Sequence, residues 1–407
     1  MPTANYAVIG AIMGRDITFV DLCSGAGGLK HGLVSQGWEC LASIDHDQYA
    51  VDIHNTAFGG CSQLDIFDVE ENQIPESDVL VAGFPCQPFS TSGNKAGFEH
   101  KSGNVFERII EIARAKRQKY LLLENVEGLL KNQNGYSFSI ILKMLTDSGY
   151  IVHWSLVDSN HLGDPQTRSR IFIFAHKDLE NGCFPIEKAS SDAFLFRKYE
   201  ERYFTSKSHK VVGSISDEVN GRTPAIGRPR SNKPVPYATF GVAKEDSFVS
   251  WKGKADTTEN ATLLGDICCP DFHRKESVTS VRFYARGKPT SPHFRRQKVA
   301  HCLGGTIGAA PTFAIPLAEI NEEGAYDKVL KNSNWHRIQE DHLIFRLTPS
   351  CAVRLFGENT TRLQRAFAKS KVSSTKKYVI LGNMVSPTAA KYVGELAASF
   401  IKLMMKI

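Results

Sequence analysis

An apolar run that ends in a glycine-rich turn constrains the fold of this chain more than any other feature. Residues 17–22 predict a buried strand, residues 25–28 a tight turn, and residues 29–36 the start of a helix. Further strands are predicted at 40–44, 78–82, 120–123, 152–157 and 170–175, with helices at 105–117 and 138–148. Strands that alternate with helices predict βαβ units, and hence a parallel sheet covered by helices on both faces. Ligands of such sheets bind beyond the carboxyl ends of the strands.

The regular pattern stops after about residue 176. Residues 178–343 are rich in Gly, Pro, Ser, Lys and Arg, with short β-like pieces such as 278–284. From residue 345 the pattern is regular again, and apolar residues at helical spacing predict a terminal helix over 386–403. We therefore predict a first domain at 1–177, a smaller, irregular, mainly β domain at 178–357, and a C-terminal segment at 358–407 that returns to the first domain.

Charge and cysteine content narrow the class of protein. The net charge is +6, and residues 210–300 hold 16 Lys and Arg against 9 Asp and Glu, which favours a polyanion-facing insert over an ordinary solvated face. The nine cysteines form no CxxC pair, so we expect a reducing cytoplasm. The group Cys268, Cys269, His273, His293, His301 and Cys302 lacks standard ligand spacing, so we expect no metal. No apolar run is long enough for a membrane span.

The glycine turn is an open site for a ligand. A dinucleotide fingerprint needs a third glycine where Lys30 stands, so a nicotinamide cofactor is disfavoured. Asp45, with Asp47 beside it, could accept from a ribose hydroxyl, and Asp65 from an exocyclic amine. These acids suit an adenosine-bearing ligand without requiring phosphate. The alternative is a tight βα loop without a ligand.

Three more groups could carry chemistry. Cys86 stands between two prolines after the strand at 78–82, which favours an exposed nucleophilic thiol over a buried apolar one. Residues 91–104 read as a mobile lid. Glu124 follows three leucines, so burial would raise its pKa and let it donate a proton; the alternative is a helix-capping acid. Gln166, Arg168 and Arg170 would share one side of a strand, as a ligand site or as a solvated edge.

Seven short motifs follow one another in a fixed order along the chain. They are the turn at 19–28, Asp45, Asp65, Gly83-Phe84-Pro85-Cys86-Gln87, Glu124-Asn125-Val126, Gln166-x-Arg168-x-Arg170 and Gly382-Asn383-Met384-Val385. Their joint order and spacing resemble the cytosine-5 DNA methyltransferase family, over nearly all of the chain outside 178–343. The resemblance implies a Rossmann-like α/β domain that binds S-adenosylmethionine, completed by the C-terminal helix, and a target-recognition domain at 178–357.

The resemblance also implies roles for individual residues. Cys86 would attack carbon 6 of a cytosine flipped out of the duplex, and Glu124 would contact N3 and the exocyclic amine. Arg170, with Arg168 behind it, would bind the base O2 and the active-site carboxylate. The implied cofactor residues are Phe19, Asp21, Ser24, Gly25, Gly27, Gly28, Asp45, His46, Asp65, Ile66, Pro85, Asn383 and Val385. The implied DNA contacts are Gln87 and Ser90 in a closing loop at 87–104, and Arg282, Arg286, Arg295 and Arg296 in the basic insert.

The activity implied by the resemblance is methyl transfer from S-adenosylmethionine, without a metal, to carbon 5 of cytosine in a specific double-stranded DNA sequence. S-adenosylhomocysteine would be the product. Such an enzyme would be a monomer in the bacterial cytoplasm or nucleoid, and the modification partner of a separately acting restriction endonuclease. One motif departs from the family pattern: residues 345–359 keep Pro349, Arg354 and Gly357 but carry Ser350-Cys351 and Glu358-Asn359 at otherwise typical positions.

Three alternatives differ in substrate or in activity. The RNA-methylating branch of the same family carries a Cys-Phe-Thr signature, which this chain lacks. A catalytically silent DNA-binding protein would not need intact Cys86, Glu124 and Arg170. An amino-methylating enzyme would carry Asp or Asn followed by Pro-Pro-aromatic where Pro85-Cys86-Gln87 stands.

Overall fold

The strands of the protein form one large and one small sheet. The computed structural model describes residues 16–85, 105–177, 195–196, 199, 201–202, 204–220, 239–255, 279–282, 295–297, 312–320, 324–339, 341–357 and 359–404. The strands are β1 (Thr18–Leu22), β2 (Glu39–Asp45), β3 (Cys61–Gln63), β4 (Val79–Gly83), β5 (Tyr120–Val126), β6 (Tyr150–Asp158), β7 (Ser169–Lys177), β8 (Phe204–Ser214), β9 (Phe240–Lys244), β10 (Ser247–Ala255), β11 (Thr279–Arg282), β12 (Arg295–Gln297), β13 (Thr312–Pro316), β14 (Ser333–Gln339) and β15 (His342–Leu347).

Helices connect and cover these strands. They are α1 (Gly28–Val34), α2 (Gln48–Ala57), α3 (Val105–Ala115), α4 (Gly128–Lys131), α5 (Tyr136–Asp147), α6 (Ile215–Asn220), α7 (Ala325–Leu330), α8 (Pro349–Ala352), α9 (Thr361–Lys369), α10 (Ser374–Asn383) and α11 (Pro387–Met404). Among the helices within the described ranges, none has both the length and the apolar character that a membrane span requires.

The large sheet has ten strands in the order β3-β2-β1-β4-β5-β7-β6-β9-β10-β8. The strands from β3 to β5 are parallel to one another, so the loops at the ends of β1, β2, β4 and β5 come together at one edge. The predicted fold class, an α/β sheet with helices on both faces plus a smaller mainly β part, is confirmed. The prediction of a purely parallel sheet is wrong, because β7 runs antiparallel to both β5 and β6.

Three strands beyond residue 177 extend the large sheet. β9 pairs with β6, β10 with β9, and β8 with β10, all antiparallel. Phe248 of β10 joins the core on one face of the sheet and Phe240 of β9 joins the core on the other. The domain boundary predicted at residue 177 marks a change in composition. The hydrogen-bonded large sheet nevertheless continues beyond it, to Ala255.

Helices pack against both faces of the large sheet. α3 and α5 cover one face through apolar residues such as Ile109 and Leu142. α1 and α11 cover the other face, where a Cβ on Gly32 would lie 2.5 Å from the Cβ of Ala390. Glycine at position 32 therefore lets the C-terminal helix lie in direct contact with α1.

The small sheet has the order β12-β11-β13-β15-β14, and all of its pairings are antiparallel. Phe313 and Phe345 face one hydrophobic cluster together with Phe356 and with Leu363 of the C-terminal segment. Cys351, one of the residues that depart from the family motif, donates its thiol to Oδ1 of Asn332 at 3.1 Å.

Two histidines form a buried pair beneath α11. The Nε2 atoms of His153 on β6 and His176 on β7 lie 3.3 Å apart, so one ring donates to the other. The ring of Phe400 packs against both, with its centroid 5.7 Å from that of His153 and 4.9 Å from that of His176. Burial, reinforced by the charge that His176 would carry, lowers the pKa of His153 well below its usual value. His153 is therefore neutral in the folded protein.

The His153 pair should make the fold sensitive to acid. The unfolded chain binds a proton at position 153 below pH ~6.5, whereas the folded protein does not, so the free energy of unfolding falls as the pH drops. The free energy of unfolding, measured with urea, should be lower at pH 5.5 than at pH 7.5. This difference should be about 1.4 kcal/mol smaller in His153→Gln than in the wild type. His46→Gln, at a side chain that is 77% exposed, is the control and should keep the full difference. An undiminished difference in His153→Gln would contradict this origin of the acid sensitivity.

Candidate active site

A cavity of about 650 Å³ opens where the parallel strands of the large sheet end. The segments after β1, β2, β3, β4 and β5 form most of its wall, and the end of α10 closes one side. The residues that line it in the described part of the chain include Cys23, Gly25, Ile44, Asp45, His46, Asp47, Leu64, Asp65, Ile66, Phe67, Phe84, Pro85, Glu124, Asn125, Arg170, Asn383 and Met384. Its position agrees with the general rule that ligands of open α/β sheets bind at the carboxyl ends of the strands.

Asp45 organises the part of the wall nearest the glycine turn. Its carboxylate accepts from the backbone N–H of Gly25 and from that of Asp47, both at 2.8 Å. Asp47 in turn accepts from the N–H of Tyr49 at the start of α2 and pairs with the ammonium of Lys376 at 2.9 Å. The predicted ribose-binding acid is thus held rigidly at the end of β2.

The glycine turn meets the connection between α10 and α11 in close contact. A Cβ on Gly28 would lie 2.1 Å from the carbonyl oxygen of Val385 and 2.9 Å from the Cγ of Met384, so a larger residue would push the two segments apart. Gly25 has a φ of 55° and open space where its Cβ would be, which leaves the backbone exposed to the cavity. Glycine is required at these two positions for different reasons.

Seven of the predicted cofactor residues line the cavity: Gly25, Asp45, His46, Asp65, Ile66, Pro85 and Asn383. Six do not: Phe19, Asp21, Ser24, Gly27, Gly28 and Val385. Phe19 packs in the core against Trp38, with the ring centroids 6.0 Å apart. Asp21 is fully buried under α1, and burial raises its pKa to about 8, so it is largely protonated at neutral pH. These six residues shape the turn and its support rather than the wall.

Several residues of the wall were not predicted as site residues. Cys23, which has a φ of 55°, presents its side chain beside the glycine turn, and Ile44, Phe67 and Met384 supply apolar surface. Ile44 directly precedes the predicted acid Asp45, and Phe67 lies two residues after the predicted acid Asp65, so proximity to those acids is the signal that could have found them.

Glu124 and Arg170 form a buried ion pair in the wall of the cavity. The Nε of Arg170 lies 3.2 Å from Oε1 of Glu124, and their side chains are only 12% and 8% exposed. Glu124 on β5 pairs with Gly83 on the neighbouring strand β4, and the chain continues from the end of β4 to Cys86. Burial raises the pKa of Glu124, and the positive charges of Arg170 and Arg168 oppose that rise. Glu124 is therefore a carboxyl group that can hold a proton at higher pH than an exposed glutamate can.

Asn125 fixes the chain just before Cys86. Its side-chain Nδ2 donates to the backbone carbonyl of Phe84 at 3.0 Å, and its side-chain Oδ1 accepts from the backbone N–H of Val126 at 2.8 Å. Pro85, which precedes Cys86 in the sequence, lines the cavity. Asn125 therefore ties the segment that leads to Cys86 to the strand that carries Glu124.

Gln166, Arg168 and Arg170 reach three different places. β7 begins at Ser169, so the alternation expected of a strand does not include the first two residues. Gln166 donates to the carbonyl of Leu355 at 2.8 Å. Arg168 does not line the cavity: its guanidinium donates to the carbonyls of Gly382 and Met384 and lies over the ring of Phe356. Arg168 thus positions the α10–α11 connection, and Arg170 alone of the three faces the cavity.

Some of the predicted residues lie outside the described part of the chain. They are Cys86, Gln87, Ser90 and Arg286, the closing loop at 87–104, and the group Cys268, Cys269, His273, His293, His301 and Cys302. The backbone of Arg282 on β11 pairs with that of Arg295 on β12 in the small sheet, and Arg296 follows on β12.

The charges of the cavity suit a cationic adenosine-bearing ligand better than a phosphate. Asp45, Asp47 and Asp65 line it, whereas Arg170, the one arginine or lysine among its described lining residues, is already paired with Glu124. Phosphate groups beside three carboxylates would be repelled, and a positive charge would be attracted. The apolar side chains of Ile44, Ile66, Phe67 and Met384 offer surfaces for a flat base.

The chain matches one protein-family model and several curated proteins. The family model described as "C-5 cytosine-specific DNA methylase" matches residues 17–398. The Type II methyltransferase M.BsuFI of Bacillus subtilis is 41% identical over 180 residues, 44% of this chain and 44% of that protein. The Type II methyltransferase M.HhaI of Haemophilus parahaemolyticus is 36% identical over 172 residues, 42% of this chain and 53% of that protein. The matched segments thus span about half the length of these curated relatives.

A solved structure extends the likeness of fold over almost the whole chain. The S. pombe Dnmt2 methyltransferase superposes with a TM-score of 0.55 at 16% identity, over 94% of this chain and 99% of that chain. At this level of identity the likeness concerns the fold alone.

Proposed function

Because the chain belongs to the C-5 cytosine-specific DNA methylase family, we propose that it transfers a methyl group from S-adenosylmethionine to carbon 5 of a cytosine in double-stranded DNA. S-adenosylhomocysteine is the second product. The observation that carries this proposal is the buried Glu124–Arg170 pair, which faces the same cavity as Pro85, the residue before Cys86. Addition to a pyrimidine ring requires a thiolate and an acid, and Glu124, whose pKa is raised by burial, supplies such an acid in this cavity.

The cavity fits S-adenosylmethionine by size and by charge. Its volume of about 650 Å³ accommodates a nucleoside with an amino-acid tail, and its carboxylates complement the positive sulfonium and ammonium groups. Asp45 would hold the ribose and Asp65 the exocyclic amine of the adenine. When bound, S-adenosylmethionine supplies an electrophilic methyl group.

Cys86 acts as the nucleophile in the proposed reaction. Carbon 5 of cytosine is a poor nucleophile, so its reactivity has to be raised by addition elsewhere on the ring. The Cys86 thiolate forms a bond to carbon 6, and the electron pair of the C5–C6 double bond moves to carbon 5 as an enamine. Carbon 5 then takes the methyl group, loses its proton to a base, and the C6–sulfur bond breaks to restore the double bond and the free thiolate.

Glu124 and Arg170 stabilise the base during that addition. The protonated carboxyl of Glu124 donates to N3, which offsets the negative charge that addition pushes into the ring. Arg170 holds the carboxyl through its Nε and would bind the base O2 with another N–H of its guanidinium. Both groups lie on neighbouring strands of the sheet, so their relative position is fixed before the base arrives.

The target atom is inaccessible inside a duplex, so the proposal includes extrusion of the cytosine into the cavity. The loop at 87–104 would close over it. We further propose residues 178–357 as the target-recognition part, with β8, β9 and β10 also belonging to the large sheet, and 1–177 with 358–407 as the catalytic part. We further propose that the protein is the modification enzyme of a restriction-modification system, in keeping with the names of its Type II methyltransferase relatives. This proposal includes a monomer in the cytoplasm and a separately acting endonuclease.

A mechanism-based trap tests the proposal directly. The protein is incubated with 5-fluorocytosine-substituted duplex DNA and S-adenosylmethionine, and the products are separated on a denaturing gel. Fluorine cannot leave as the C5 proton does, so the sulfur–C6 bond persists and a covalent adduct is expected. Mass spectrometry should place the adduct on Cys86.

Substrate controls make the trap decisive. The same incubation with unsubstituted DNA should turn over and leave no adduct. An adduct with fluorocytosine-substituted RNA alone would assign the protein to the RNA-methylating branch. Absence of any adduct from a protein that still binds S-adenosylhomocysteine would refute the proposed methyl transfer.

A further inference from the structure

Helix α2 packs against the glycine turn of the active-site cavity and contributes one buried histidine to it. The side chain of His54 is fully buried, and its Nδ1 lies 3.2 Å from the backbone carbonyl oxygen of Gly25. A carbonyl oxygen only accepts hydrogen bonds, so Nδ1 carries the proton and is the donor. The contact therefore fixes the tautomer of the His54 ring and gives the Gly25 carbonyl its partner.

Gly25 is held from two sides. Its backbone N–H donates to Oδ2 of Asp45 at 2.8 Å, and its carbonyl accepts from His54. The residue before it is fixed as well, because the N–H of Ser24 donates to the carbonyl of Ile44 at 3.0 Å. Glycine has more backbone conformations open to it than any other residue, and Gly25 adopts a φ of 55°. The two bonds to Gly25 therefore decide which conformation the turn keeps.

The His54 ring also fills the space beside Gly27. A Cβ on Gly27, whose φ is 87°, would lie 3.2 Å from Cε1 of His54 and 2.9 Å from two ring carbons of Phe58. The rings of His54 and Phe58 pack edge to face, with their centroids 5.8 Å apart. The turn on one side and Phe58 on the other leave the imidazole little room, so its Nδ1 stays directed at Gly25.

The second ring nitrogen of His54, Nε2, distinguishes this position from an ordinary core site. Nε2 is buried and makes no hydrogen bond to any residue that the structure describes. Burial, together with the positive charge of Lys30, lowers the pKa of His54 to about 4, so the ring is neutral at physiological pH. An unpartnered buried acceptor destabilises a fold, and an apolar side chain of similar size would avoid it. Packing alone therefore does not explain a histidine here, whereas the bond to Gly25 does.

We propose that His54 is a positioning residue for S-adenosylmethionine: its Nδ1–H holds the carbonyl of Gly25, so that the backbone of the glycine turn faces the cofactor. Gly25 lines the cavity and His54 does not, so the effect of His54 on the cofactor passes through the turn. This inference rests on the proposed function, since it takes S-adenosylmethionine as the occupant of the cavity. It adds to the site a residue of α2 that lies outside all of the sequence motifs.

Replacing His54 by leucine tests the proposal, because leucine fills a similar volume and donates no hydrogen bond. Binding of S-adenosylhomocysteine to the full-length protein, measured by isothermal titration calorimetry, should weaken roughly 3- to 10-fold. The variant should unfold thermally within a few degrees of the wild type, because loss of the bond to Gly25 is offset by removal of an unpartnered nitrogen from the core. An affinity equal to that of the wild type would overturn the proposal.

Two amide variants separate the donor from its position. In His54→Asn the amide nitrogen is bonded directly to Cγ, as Nδ1 is, so it should donate to Gly25 and keep the affinity within about 2-fold of the wild type. In His54→Gln the amide lies further from the backbone, near the place of Nε2, so the affinity should fall as in His54→Leu. Equal affinities of the two amide variants would show that the placement of the donor is irrelevant, and would overturn the proposal.

His31→Leu provides the matched control. The His31 side chain on α1 packs against the same phenylalanine, with its ring centroid 5.3 Å from that of Phe58, and it does not line the active-site cavity. This variant removes an imidazole from the same neighbourhood and leaves the bond from His54 to Gly25 in place. Its affinity for S-adenosylhomocysteine should therefore match the wild type. A loss equal to that in His54→Leu would attribute the effect to repacking around Phe58 and would contradict the assigned role.

Steady-state kinetics with duplex DNA give a second readout. In His54→Leu the KM for S-adenosylmethionine should rise by about the same factor as the Kd for S-adenosylhomocysteine. The rate at saturating cofactor should stay near that of the wild type, because Glu124 and Arg170 are untouched. A fall in the saturated rate with an unchanged KM would place His54 in the chemical step and overturn its role in holding the cofactor.

The outcomes distinguish this inference from the proposed function. A protein that forms the Cys86 adduct, while His54→Leu binds S-adenosylhomocysteine as the wild type does, would retain the function and lose the positioning role. Failure of the trap, with the affinity loss in His54→Leu intact, would refute the function and support the role of His54 in binding the cofactor. A wild-type protein that does not bind S-adenosylhomocysteine would overturn both.

Discussion

Replacing Cys86 by serine should abolish methyl transfer to DNA. A serine hydroxyl is almost entirely protonated at neutral pH and is a far weaker nucleophile than a thiolate, so the bond to carbon 6 does not form. Incorporation of tritium from labelled S-adenosylmethionine into duplex DNA should fall to the level seen without protein. The same variant should give no adduct with 5-fluorocytosine DNA.

Two measurements test whether the loss of methyl transfer in Cys86→Ser comes from the missing thiolate and not from damage to the rest of the protein. Binding of S-adenosylhomocysteine, followed by calorimetry, should be the same in Cys86→Ser as in the wild type, because the cavity wall described above is intact. Cys40→Ser, at a thiol on β2 that hydrogen-bonds to Ser43 away from the cavity, should keep full activity. Methyl transfer retained by Cys86→Ser would refute the assigned nucleophile.

Replacing Glu124 by glutamine should slow methyl transfer by roughly 10²–10⁴-fold, the range typical of a lost acid catalyst. Glutamine keeps the size of the side chain and can still accept from Arg170, but it cannot transfer a proton to N3. Single-turnover assays should show the effect on the chemical step, with affinity for the cofactor unchanged. Glu127→Gln, at an exposed glutamate that pairs with Lys131 at 2.6 Å, is the matched control and should remain fully active.

The dependence of the methyl-transfer rate on pH distinguishes loss of the proton donor in Glu124→Gln from a general defect of that variant. In the wild type the rate should fall as the pH rises through the elevated pKa of Glu124, because the protonated form is the donor. That alkaline limb should be absent from Glu124→Gln. A slow variant that keeps the alkaline limb would show that another group is responsible for it.

Strands β1, β2, β4 and β5 were predictable because each contains a short apolar run bounded by turn residues, whereas β3, with the sequence Cys-Ser-Gln, has no such run. The direction of β7 was not predictable, since a fully buried strand reads as the same apolar run in either orientation. The extension of the large sheet by β8–β10 was also hidden. These strands lie in a segment whose composition changes sharply, and composition says nothing of hydrogen-bonded partners.

The chemistry of the site was more predictable than its walls. Glu124 and Arg170 were identified from motifs, and they meet in the structure. Phe19 and Asp21 belong to the same motif as Gly25, yet neither lines the cavity, because the cavity begins at Cys23, beyond the end of β1. The expectation that Arg168 shares a face with Arg170 was wrong, because spacing by two residues implies a shared face only within a strand, and β7 starts one residue after Arg168. The contact between Trp335 on β14 and Arg346 on β15 arises from cross-strand register, which the sequence does not reveal.

The continuity of the large sheet into β8–β10 bears on how new specificities could be built. Gly241 of β9 lies against the indole of Trp154 on β6, where a Cβ would approach to 2.1 Å, so these strands fit the catalytic core closely. A chimaera that exchanges recognition segments at residue 178 would remove three strands and uncover Trp154. Junctions placed between Ala255 and Thr279, and again just before Pro349, should preserve the host sheet while the small sheet is exchanged as a cassette.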